Sequence, residues 1–203
     1  MEKLTKTANV LDVIAKILQI IAIVGIVVSL VACTMMCVGL IFDIDPQQLG
    51  EPEFSITIGG QTTIILSEDT AIDWDMVMKQ TAALTAINAI GMVLAYVFFK
   101  TVRAILAPMK EGLPFHDSIS SNIKKLGWIS VAACVFDVVM QIVTDISSTY
   151  IYSTPELLGE YIVDIEYVYN VNMGYLLAAA VCFLLSYIFS YGAQLQQQSD
   201  ETL

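Results

Sequence analysis

Residues 10–42 read VLDVIAKILQIIAIVGIVVSLVACTMMCVGLIF, and the only charged side chains in that run, Asp12 and Lys16, stand near its start. A helix needs only about 20 apolar residues to cross a hydrocarbon core of about 30 Å. The run is therefore one membrane span with length to spare, expected to tilt or to protrude. Asn9 to Asp12 reads as a cap, and Asp12 and Lys16, four apart on one face, suit a helix that begins in water. The box Leu30-Val31-Ala32-Cys33 resembles a lipoprotein cleavage site. A lipoprotein turns polar after that cysteine, whereas this chain stays apolar to Phe42, so the span is expected to stay uncleaved.

Three more runs of this kind follow, at about 76–106, 126–146 and 173–193. Across all 203 residues, 57% are hydrophobic and only 14% charged, with a mean hydropathy of +0.72. A soluble domain is normally about a quarter charged. The expected fold is an all-α integral membrane protein with four transmembrane helices, forming a single membrane domain over 1–203.

Charge sets the direction of threading. Eight of the nine basic residues precede the first span, stand at its start, or lie beside and between the second and third: Lys3, Lys6, Lys16, Lys100, Arg103, Lys110, Lys124 and Lys125. The segments 43–75 and 147–172 have no basic residue and many acids. Positive residues mark the cytoplasmic side, so both termini, the joint 107–125 and the tail 194–203 are expected inside a plasma or inner membrane, with the acidic loops outside.

The outer segments carry strand signals. Residues 53–58 and 61–66 flank Gly59-Gly60, a hairpin pattern. Residues 161–169 offer a third strand, so a small extracytoplasmic β-hairpin cap is expected. Its acids lack calcium-loop spacing, and its tyrosines suit the headgroup level.

Within the membrane, small residues recur every fourth position, at Gly25, Ser29, Cys33 and Cys37 and again at Gly174, Ala178, Cys182, Ser186 and Ser190. This spacing lets helix backbones approach, and it makes the cysteines packing residues rather than metal ligands. Asp137 lies about halfway through the third span, with Gln141 one turn on; Thr81, Thr85 and Asn88 make a polar stripe in the second. A carboxylate at that depth must face protein or water. Asn88 is expected to face Asp137. Either the pair is a structural hydrogen bond, or Asn88, Asp137 and Gln141 line a polar path.

The inner joint, LAPMKEGLPFHDSISSNIKKLGW, holds Pro108, Gly112 and Pro114, expected to break the second helix, and Asp117 or Ser118 to cap the third. The lone His116 reads as a loop residue. No phosphate loop, HExxH, GxSxG or catalytic dyad occurs, nor a nucleic-acid-binding pattern. The chain is thus expected to be non-enzymatic, without cofactor, metal or nucleic-acid partner.

Gly112, Pro114 and Phe115, with the later Lys125-Leu126-Gly127 and the ending YIFSYGAQLQQQSDETL, resemble an uncharacterised bacterial family of four-span membrane proteins, domain of unknown function 2975. The resemblance implies a four-span inner or plasma membrane protein, often encoded beside small helix-turn-helix regulators, and it brings no catalytic residues. The tail has no positive charge and so makes a poor lipid anchor, and a contact with the inner joint at 108–125 or with another chain is expected instead. Gly112, Pro114, Phe115, Gln194 and Gln197 are therefore the expected partner contacts, toward a cytoplasmic regulator or a second copy of the chain. The function this implies is sensing or regulation; the alternative is a small transporter or channel component.

Overall fold

A computed structural model describes residues 2–42, 55–58, 62–65, 74–151 and 169–201. Four long helices carry these residues: α1 (Glu2–Ile41), α2 (Trp74–Lys110), α3 (Asp117–Ile151) and α4 (Met173–Glu201). All four are long and apolar enough to cross a membrane, with candidate spans of 37, 34, 28 and 27 residues. No more than 17% of the most apolar window of any of them is buried by the rest of the chain. A water-soluble bundle would hide those windows in its core. Here the apolar side chains of α1 point outward along its whole length, from Val10 and Leu11 to Ile41, as lipid contact requires.

The helices outrun the expected spans. At 40 residues, α1 is roughly 60 Å long, about twice the hydrocarbon thickness. It has already begun at Glu2, so Asn9 to Asp12 is not its cap. At the other end of the second span, Pro108 does not break α2, which continues through it to Lys110.

The expected extracytoplasmic cap is not supported. What the described residues hold there is one antiparallel ladder, β1 (Ser55–Ile58) on β2 (Thr62–Ile65), with Ser55 opposite Ile65 and Ile58 opposite Thr62. Two strands of four residues have no stability of their own in water. The third strand expected over 161–169, apart from Tyr169, and most of the acids and tyrosines assigned to the cap lie outside the described residues.

The chain divides into two compact units. One comprises Met1–Ser29, Ile87–Ile142 and Val168–Leu203; the other comprises Leu30–Ala86 and Val143–Tyr167. In the first, Ile105 of α2 packs with Ile119 and Ile123 of α3, and Cys182 and Phe189 of α4 close over them. Ile119 is completely buried. Glycines let the helices approach: a Cβ on Gly91 would stand 2.7 Å from the Phe136 ring, and one on Gly127 would stand 2.8 Å from Phe183. In the second unit, the Cys33 thiol donates to the carbonyl of Ala82 at 3.6 Å, and Gly39 lies against Met78.

The four-residue stripes face protein only in part. On α4, Cys182, Ser186 and Ser190 are shielded, but so are Tyr175, Ala179, Phe189 and Ala193, while Gly174 and Ala178 are exposed. On α1, Gly25, Ser29 and Cys33 are half-buried. On α1 the most buried residues are Ala8, Ala15 and Ala22, seven apart, and Cys37 is exposed. Steps of four drift by about 40° each on a 3.6-residue helix. Alternating steps of four and three stay on one seam, with small side chains setting the close approach.

Candidate functional site

The joint between α2 and α3 is built on a capped turn. Gly112 has φ of +79°. Its N–H donates to the Met109 carbonyl at 3.2 Å, and the Leu113 N–H donates to the Pro108 carbonyl at 3.0 Å. This pair of bonds is the Schellman motif, with glycine at the left-handed position. Pro108 has no N–H to give to the turn before it, but its carbonyl accepts the longer bond of the motif. Pro114 follows and cannot continue the helix.

His116, expected to be a plain loop residue, caps α3, a role expected of Asp117 or Ser118. Its Nδ1 accepts the Ser118 N–H at 3.2 Å and lies 2.7 Å from the Ser118 hydroxyl, while its carbonyl accepts the Ile119 N–H at 2.9 Å. The ring thus satisfies one of the free donors at the start of α3. Accepting a backbone N–H requires Nδ1 to be without a proton.

Between these two ends Phe115 turns toward α4. Its ring stands 6.0 Å from that of Phe189, and a Cβ on Gly192 would meet it at 2.7 Å. Gly192 is what allows the joint to lie against α4. The joint and the α4 tail then enclose a groove of about 370 Å³. Leu113, Phe115 and Ala193 give it an apolar floor, and Asp117, Gln197 and Glu201 border it. The Gln197 amide donates to the Glu201 carboxylate at 3.2 Å. Of the expected partner contacts, Phe115 and Gln197 line this groove, Gly112 and Pro114 shape the turn beside it, and Gln194 is exposed on α4 without lining it.

A polar cluster joins α1 to α2 in the same unit. Asp12 does not pair with Lys16. It accepts from Arg103 Nε at 3.0 Å and from Lys110 Nζ at 2.6 Å, while Arg103 also donates to Gln19 at 3.0 Å. Only 14% of the Asp12 side chain is exposed, so one shielded carboxylate holds two cations. The ninth basic residue, Lys79, pairs with Asp75 on its own helix.

In mid-span the structure keeps Asp137 and Gln141 together and leaves Asn88 apart. Gln141 Nε2 donates to Asp137 at 3.1 Å and to the Asn170 carbonyl at 3.0 Å, while its Oε1 accepts the Asn170 N–H at 3.0 Å. Gln141 thus clamps the backbone that leads into α4, and Asp137 anchors the clamp. Asn88 is exposed and has no hydrogen bond among the described residues. Its stripe mates, Thr81 and Thr85, turn their hydroxyls back onto carbonyls of α2. No cluster of three or more metal-ligating side chains occurs among the described residues.

His116, Asp117 and Glu201 were not expected to share a site. The signal for His116 was the local His-Asp-Ser order, which puts a side-chain acceptor two residues before a free N–H. Glu201 carried none of its own; the expected contact of the tail with the joint is made by Phe115 packing on Phe189 and Gly192. Comparison of the chain with protein-family models, curated proteins and solved structures finds no match.

Proposed function

We propose that this chain is a non-enzymatic, multi-pass plasma-membrane protein that passes a signal to a cytoplasmic partner through its joint and tail. Both termini lie inside, and the acidic segments 43–75 and 147–172 face outward, where a stimulus is received. The resemblance of the joint and tail to domain of unknown function 2975 fits this role.

The observation that carries the reading is the groove itself. The joint is seated on α4 through Phe115 and still leaves Leu113 and Phe115 exposed beside two carboxylates, as a contact surface would. A photo-crosslinking residue in place of Gln197, in cells, tests it. Crosslinks to one soluble protein that vanish with Phe115→Ala support the reading; crosslinks only to lipid overturn it.

The second reading, a transporter or channel component, rests on the half-buried Asp137. Its carboxylate is bound to Gln141, and Gln141 is itself fixed to the Asn170 backbone, which favours a structural clamp. Ion flux in liposomes that disappears with Asp137→Ala would reverse that preference.

A further inference from the structure

We infer that the groove between the joint and α4 docks a cationic amphipathic segment of a soluble protein. This rests on the proposed role of the joint and tail and adds the chemistry of the partner.

Two features of the groove point to that chemistry. The first is charge. Its border carries two carboxylates, Asp117 and Glu201, and neither has an ion-pair partner among the described residues. Of the three cations of this unit that lie on α2, Arg103 and Lys110 are held by Asp12, and Lys100 lies outside the groove's lining. His116, which also lines the groove, has its Nδ1 occupied by the Ser118 N–H.

The second is the position of Glu201. It lies in the last turn of α4, where the helix dipole presents its negative end, and that turn has no basic residue. An acid there is electrostatically misplaced, and an external cation would relieve it. Asp117, in the first turn of α3, is already favoured by its own helix dipole. Glu201 is therefore the residue whose charge most needs a partner.

The floor supplies the other half of the recognition. Leu113 and Phe115 are each more than 40% exposed, so apolar area is available for a segment that carries leucine on one face and lysine on the other. Anionic lipid headgroups would be repelled by the same carboxylates, which argues against lipid as the occupant.

The test uses the full chain in detergent and a fluorescein-labelled helical peptide, leucine on one face and lysine on the other, with a glutamate counterpart. Anisotropy should show the lysine peptide binding, weakening as salt is raised, and the glutamate peptide failing to bind. Glu201→Gln with Asp117→Asn should weaken binding about tenfold, and Phe115→Ala should weaken it as well. Equal binding of both peptides, or an unchanged affinity in the double variant, overturns the proposal. So does protection of a fluorophore at Gln197 by phosphatidylcholine vesicles alone, since the occupant is then lipid. If crosslinks from Gln197 to a soluble protein persist while the lysine peptide fails, only the cationic chemistry is overturned. If both fail, the proposed role of the joint falls with it.

Discussion

Replacing Gly112 separates a backbone effect from a packing effect unusually well. The residue has φ of +79°, and an added Cβ would meet nothing within 4 Å. Alanine there causes no collision, so its cost is the left-handed backbone alone, about 1–2 kcal/mol. Asparagine tolerates that region better and should cost less, while β-branched valine should cost more. For a chain of this size the alanine penalty corresponds to a fall in melting temperature of roughly 2–8 °C. The assay is the loss of the monodisperse peak on size-exclusion chromatography after heating in detergent, with the neighbouring Glu111→Ala as control. The expected order of stability is glycine, asparagine, alanine, valine. An alanine variant as stable as the parent, or an asparagine variant no better than valine, would refute the Schellman account of the joint.

Asp12→Asn leaves Arg103 and Lys110 side by side without their shared carboxylate and should cost about 1–3 kcal/mol by the same heating assay; adding Lys110→Gln should recover part of that loss. Gly127→Ala drives a methyl into the Phe183 ring at 2.8 Å and should lower the melting temperature, and Phe183→Ala should relieve the alanine variant rather than add to it. Gln141→Leu should destabilise more than Asp137→Asn, because asparagine can still accept from Gln141 whereas leucine frees the Asn170 backbone; equal effects would show that the clamp is not what Asp137 supports.

The spans were legible because hydropathy over some 20 residues averages away local detail. The inner joint was legible too, since Gly112 and Pro114 each have one strong conformational meaning. The helix seams were not. Ala8, Ala15 and Ala22 on α1 are as apolar as their lipid-facing neighbours, so hydropathy cannot separate a packed face from a lipid face. Counting every fourth small residue picked out a stripe that drifts off the contact, putting Cys37 and Ala178 outside it. Asp12 misled for a related reason. Lys16 is its neighbour along the chain, but Arg103 and Lys110 are its neighbours in space, and no local spacing announces that. Asn88 and Asp137 look equivalent in depth, yet depth along a helix does not specify rotation about it. Gly91 and Phe136 show that α2 and α3 do meet at this level, with Asn88 turned outward. The site at the joint was half legible: Phe115 and Gln197 were expected contacts, whereas Glu201 and the capping role of His116 depend on the joint lying against α4.

The central claim is that the joint and tail face the cytoplasm as one contact surface. Its most direct test is the sidedness of the tail. Gln197→Cys can be probed with a membrane-impermeant maleimide in intact and in permeabilised cells, against the parent chain, whose own cysteines lie within apolar helices. The account predicts labelling of position 197 only after permeabilisation, above the level of the parent chain. Labelling of Cys-substituted position 197 in intact cells would place the groove outside and contradict it.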